Sequence, residues 1–365
     1  MFASSAWPLA ILYALLIVFA SLFPFEGWRV QGIEPWAFVT APLPPPYWTW
    51  FDVNTNILGY IPLGFLLALG GMRSGMHGWA LLWATLCGAV LSLCMEFLQI
   101  YLPRRVPSNM DFVLNAAGGL AGALLAVALE QLGLLARWSV FRERWFGTQP
   151  QGGLVLLGLW PLALLFPAAL PFGLGQVLER LDKALDVWLQ GTPFAEWLPL
   201  RETPLVPLAP SAEMLCVMLG LLAPCLLAYL LIAHVGRRAV AAVVVCMAGW
   251  AATTLSAGMA YGPAHAWAWL TLPTQAGVVA AVLVAAALLA LPRRWCAVAL
   301  LLVLMWQLQW LNQAPLSPYF AETLQTWEQG RFMRFYGLGQ WLGWLWPYAV
   351  LAYVALRLTQ RSHDS

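Results

Sequence analysis

Charge is what this sequence has least of. Only 9% of its 365 residues are Asp, Glu, Lys or Arg, while 62% are hydrophobic. A soluble domain carries about a quarter charged residues, so this chain is unable to cover a water-facing surface. Short strands of alternating polar and apolar residues are also absent, which excludes a membrane β-barrel. The six cysteines (Cys87, Cys94, Cys216, Cys225, Cys246 and Cys296) show no CxxC spacing and sit in or near apolar runs. They read as buried thiols. Four scattered histidines make no metal-ligand cluster, so neither metal nor cofactor is expected. A net charge of +2 without a basic stripe argues against nucleic acid as a partner. No nucleophile motif or phosphate loop supports a named reaction.

What is present is length. Apolar runs of about 20 residues, the span of a bilayer, recur from one end to the other. The fold class expected is all-α, a polytopic helical integral membrane protein with about ten transmembrane helices. They are placed at 7–24, 50–71, 79–101, 109–130, 152–171, 212–234, 239–260, 273–291, 295–312 and 338–357. The first is read as a retained span, because nothing basic precedes it and no small-residue cleavage site follows it.

With the N-terminus in the cytoplasm, Arg73, Arg137, Arg142, Arg144, Arg237, Arg238, Arg293, Arg294, Arg357 and Arg361 fall on one side. Among the acids only Glu130, Glu143 and Asp364 share it. The short loops 72–78, 235–238 and 292–294 carry the clearest bias, so both termini are expected to be cytoplasmic.

Two parts are expected, 1–135 with four spans and polar residues near their outer ends, and 136–365 with six plainer ones. Between them "RWSVFRERWF" (137–146) reads as a basic, aromatic connector in the headgroup layer. Outer segments lie at about 172–211 and 313–337. In the first, Leu178, Leu181, Leu185, Trp188 and Leu189 share a helical face opposite Glu179, Asp182, Lys183 and Asp186, with Glu179 and Lys183 spaced for an i,i+4 pair. In the second, Phe320, Leu324 and Trp327 repeat the pattern. Residues 41–50, "APLPPPYWTW", read as a polyproline-like strap.

The polar residues of the first part are ordered. The second span begins Thr49-x-x-Asp52-x-x-x-Asn56-x-x-Gly59 and the fourth Ser108-x-x-Asp111-x-x-x-Asn115-x-x-Gly118, every matched position 59 residues apart. Thr49 with Asp52, and Ser108 with Asp111, fit capping boxes, and the glycines fit close helix packing. Asn56 and Asn115 lie too deep for capping and read as interhelical hydrogen-bonders. Glu96 lies about 10 Å inside its helix end at 1.5 Å per residue, near a C-terminus whose dipole opposes a carboxylate. Gln99 shares its face. An intramembrane acid is a functional-site candidate by default, and Arg104 and Arg105 stand about two turns beyond, able to reach back toward it.

Asn56 with "ILGYIPLGF", Glu96-x-x-Gln99, "PRR", Asp111-x-x-x-Asn115 and Gly118/Gly119 resemble the VanZ-like family of bacterial membrane proteins, over roughly residues 8–130. By position, Asn56, Glu96, Gln99, Arg105, Asp111 and Asn115 match its characteristic polar residues. The resemblance implies the bacterial cytoplasmic (inner) membrane, an envelope role and a link to glycopeptide (teicoplanin) resistance. The six later spans depart from the usual shorter family domain.

The leading expectation is a binding function. Asp52, Asn56, Glu96, Gln99, Arg104, Arg105, Asp111 and Asn115 would form an outer-facing pocket for an anionic lipid or lipid-linked glycan headgroup, the arginines meeting phosphate or carboxylate. Partners expected are membrane lipids, a lipid-linked envelope precursor or glycopeptide, and other envelope proteins. The alternatives are an enzyme with Glu96 as acid or base, a proton-coupled transporter and a purely structural subunit.

Overall fold

A computed structural model describes residues 6–23, 25–34, 36–76, 78–146, 151–166, 168–193, 205–261, 263–315 and 333–363. Helices, turns and irregular segments account for the described residues, without strands. Two compact units form, Met1–Phe141 and Arg142–Ser365.

The first unit holds α1 (Ala6–Leu22), α2 (Trp50–Arg73), α3 (Ala80–Gln99) and α4 (Asn109–Gln131). Helices α2 and α4 start 59 residues apart because their caps do. Thr49 is extended (φ −131°) and its hydroxyl accepts the Asp52 N–H, and Ser108 (φ −140°) does the same for Asp111. The two helices run parallel and in register, Ile57 against Gly118 and Ile61 against Gly122. A methyl group on Gly118 or Gly122 would strike the Ile57 or Ile61 carbonyl, so the backbones touch as small residues allow. Gly59, matched to Gly118 in the sequence, has no neighbour within 4 Å of where its Cβ would be. The repeat therefore sets helix starts and polar positions, while the packing contact is made by only one of its glycines.

Helix α5 (Leu134–Phe146) is the connector, amphipathic but with no buried residue. Trp138 and Phe141 stack on its surface at 5.6 Å.

The second unit comprises α6 (Gln151–Ala163), α7 (Leu178–Leu189), α8 (Pro210–Leu231), α9 (Val235–Tyr261), α10 (Leu272–Ala287), α11 (Arg293–Leu311) and α12 (Met333–His363). Helix α8 is apolar on every side, and it is the centre: residues 219–231 are buried without a break. Helices α6, α9, α10 and α11 pack around it. Its C-terminal end is closed by arginines from other helices. Arg238 is buried and donates Nε to Ile232 O at 2.9 Å and Nη1 to Leu289 O and Leu291 O, while Arg293 reaches Leu231 O at 3.1 Å. The basic turns that suggest orientation thus also satisfy carbonyls at helix ends.

Each of the ten expected spans overlaps a helix, and among the described residues six helices are long and apolar enough to cross a membrane: α2, α3, α4, α8, α9 and α11. Helices α1, α6 and α10 are apolar but only 17, 13 and 16 residues long. Of the expected span 152–171, only the part up to Ala163, two residues past Pro161, is α-helix. Residues 164–166 and 168–177 are a largely buried irregular segment.

Non-helical backbone survives inside a membrane bundle only where protein groups satisfy it. Here Ser256 of α9 donates to Leu165 O at 2.8 Å and Gln307 of α11 to Phe172 O at 3.1 Å. Gly175 N–H donates to Gly343 O. Asn312, just past α11, accepts from both Val177 N–H and Leu178 N–H at 3.0 Å and donates to Gly175 O and Leu308 O. It is therefore the N-cap that α7 lacks in its own sequence. Amphipathic α7 exposes Leu181 and Trp188 as an interfacial helix would. The Lys183 side chain, and with it the Glu179–Lys183 pair, lies outside what is described, as does the Phe320, Leu324 and Trp327 pattern.

Candidate functional site

The polar residues of the first unit gather at one end of it, because α3 runs antiparallel between α2 and α4. That end holds the N-termini of α2 and α4, the C-terminus of α3 and the loop 100–108. Asp52 closes its own box, taking the Thr49 N–H at 2.9 Å and the Thr49 hydroxyl at 2.7 Å. At α4 the matching donor goes elsewhere. The Ser108 N–H donates to Glu96 Oε2 at 2.8 Å. Glu96, 2% exposed, does across two helices what Asp52 does within one. A buried carboxylate that accepts an N–H beside a helix N-terminus is compensated on both counts, by the hydrogen bond and by the helix's positive end.

Gln99 and Arg105 turn the other way. Gln99 Nε2 donates to Ser21 O at 3.1 Å, and Arg105 Nη2 donates to Ala20 O at 3.2 Å and to Phe23 O. Ala20 and Ser21 belong to the last turn of α1, whose carbonyls have no partner inside the helix. The expected reach of Arg105 back along the wall thus ends on the C-terminus of α1, where a cation also meets the negative helix end. Arg104 is exposed and Asn56 half-buried, and neither has a hydrogen-bond partner among the described residues. Asn115 is buried and donates Nδ2 to Ser92 Oγ at 2.9 Å, and its Oδ1 has no partner among the described residues. Asp111 is half-buried in the first turn of α4.

Sequence reasoning missed several residues at this end. Ser92 sits one turn before Glu96, a small hydroxyl in an apolar run with no spacing to betray it. Asn109 is buried and donates to Ala41 O at 2.6 Å, tying α4 to the strap. Gln31 donates to Ile100 O at 2.7 Å and Arg29 N–H to Tyr101 O at 3.0 Å. Trp36 and Phe38 both meet the Phe97 ring edge-on, at 5.1 and 5.4 Å. Residues 25–34 and 36–49 therefore lie over the α3–α4 end as a roof, its exposed Trp28, Trp36, Tyr47 and Trp48 of the amphipathic kind found at membrane interfaces.

This arrangement of four apolar helices, paired polar helix starts and a buried Glu96–Ser108 link occupies one stretch of the chain. Residues 6–130 match the VanZ/LLP1 family model. The VanZ-like stretch runs from the start of α1 to the last turn of α4, and α5–α12 fall outside it. No curated protein and no solved structure matches the chain. All six residues that resemble the family's polar set therefore lie within the VanZ-like unit, and three of them (Glu96, Gln99 and Arg105) hold backbone groups of other elements.

Proposed function

We propose that the VanZ-like unit binds the anionic headgroup of an envelope lipid or lipid-linked glycan at its polar end, in the bacterial cytoplasmic membrane. One observation carries this reading. Two parallel helices present their N-terminal ends side by side, and next to them Asn56 and Arg104 keep their hydrogen-bonding groups uncommitted within the described protein. Arg104 supplies a fork for phosphate or carboxylate, and Asn56 supplies a donor and an acceptor for sugar or amide groups. Glu96, Gln99 and Arg105 are positioning residues that fix the loop, α4 and α1 around that end. The aromatic roof suits a ligand entering from the headgroup layer.

The test is native mass spectrometry of gently extracted protein. Wild type retains an anionic lipid or lipid-linked glycan, whereas Asn56→Leu and Arg104→Ala lose it at an unchanged unfolding temperature. Equal lipid loads on all three proteins would remove the proposal. A resistance-type role is read on cells: Arg104→Ala then lowers teicoplanin tolerance relative to wild type at equal protein level.

A further inference from the structure

The second unit contains a cavity of about 430 Å³ that no sequence motif announced. Its size lies within the ~300–1,000 Å³ typical of small-molecule sites. It sits where α6 gives way to the irregular segment, α9 ends and α8 and α10 begin, at the end of the unit opposite the arginine turns. Leu164, Phe166, Leu170 and Phe172 of the irregular segment form an apolar wall. The lining also holds polar groups: Glu213 near the start of α8, Thr253, Ser256 and Tyr261 on α9, and Thr271 and Thr274 at the start of α10. Trp269, His265 and small residues, Ala169 among them, also line it, and the described lining includes neither lysine nor arginine.

The polar wall is organised. Thr271 Oγ1 lies 3.1 Å from Glu213 Oε1 and 2.9 Å from Thr274 Oγ1, so hydroxyls and one carboxylate form a chain. Trp269 is fixed by edge contacts with Phe172 at 5.8 Å and Trp250 at 5.2 Å, and donates its N–H to Thr254 at 3.3 Å.

We propose that this cavity is a second binding site, separate in residues from the VanZ-like one, for a ligand with a hydroxylated, uncharged or cationic head on an apolar body. The described lining, with Glu213 and no cation, disfavours phosphate and carboxylate heads. Glu213 and the threonines match hydroxyl groups, the Trp269 ring suits the apolar face of a sugar, and the Leu164–Phe172 wall accommodates hydrocarbon. A sugar carried on a lipid and a free sugar share the head chemistry and differ in the body.

The experiment uses full-length protein in lipid nanodiscs and three probes: an alkyl glucoside, free glucose, and an alkyl phosphate of the same chain length. Saturable glucoside binding to wild type is expected, weakened about tenfold in Glu213→Gln and abolished in Ala169→Trp, which fills the cavity. Glu213→Gln keeps an oxygen that accepts the Thr271 hydroxyl, so its unfolding temperature holds. Arg104→Ala binds the glucoside as wild type does, which separates this site from the proposed lipid site. Glucoside bound at least tenfold more tightly than glucose identifies the lipid-borne source, and equal affinities identify the free sugar. Alkyl phosphate binding as tightly as the glucoside, or glucoside binding unchanged in Ala169→Trp, overturns the proposal.

Discussion

Asn312 shows how one polar side chain in an apolar chain joins three elements. It accepts two N–H groups at the start of α7 and donates to carbonyls of α11 and the irregular segment. Truncation to Ala leaves these groups unpaired where each costs on the order of 1–3 kcal/mol. We expect Asn312→Ala to lower stability by about 3 kcal/mol or more. Asn312→Asp, which keeps the accepting oxygen, should recover part of the loss. Thermal unfolding of both variants in detergent checks the order. Glu96 is read the same way. Glu96→Gln preserves an accepting oxygen for Ser108, and Glu96→Ala removes it, so the alanine variant should be less stable by roughly 1.5–3 kcal/mol, the worth of a hydrogen bond to a charged group. Equal stability of the two variants would mean that the Ser108 hydrogen bond contributes little.

At the scale of elements, the α2–α4 pair makes an asymmetric prediction from a symmetric sequence. Gly118→Ala drives a methyl into the Ile57 carbonyl and should cost about 1–3 kcal/mol, as overpacking does. Gly59→Ala meets open space and should stabilise α2 by about 0.5–1 kcal/mol through helix propensity. Both are read as shifts in unfolding temperature, and similar shifts would mean that the helices are not in the described register. In the second unit the corresponding device is Gly220, where the Phe172 carbonyl of the irregular segment presses on α8. Prolines end α6 early, and the backbone groups they release are taken up by polar side chains of α9 and α11.

For the whole molecule, the arginine turns predict sidedness. In a variant with all six cysteines replaced, a single cysteine at Val106 should react with a membrane-impermeant maleimide added to intact cells. One at Arg294 should react only after permeabilisation. Both positions are exposed, so reactivity reports the side of the membrane. The reverse pattern would invert the orientation and place the polar end of the VanZ-like unit against the cytoplasm.

Local chemistry is what the sequence determined by itself. Thr49, Asp52 and Ser108 act within three residues, so the caps and starts of α2 and α4 were legible, as was the helical class from the scarcity of charge. The burial of Glu96 and Asn115 was legible too, because apolar neighbours on either side leave a polar residue little choice of surroundings. Partners distant in the chain were decided by tertiary structure alone. Glu96 meets Ser108 from another helix, Arg105 closes α1 about 80 residues away, and Asn312 caps α7 from 135 residues away. Spacing carries no record of such pairings, since any donor buried at the right depth would serve. The cavity of the second unit belongs to the same class. Its polar groups come from three helices and its apolar wall from a segment that hydropathy reads as membrane helix, and only the packing around α8 brings them together.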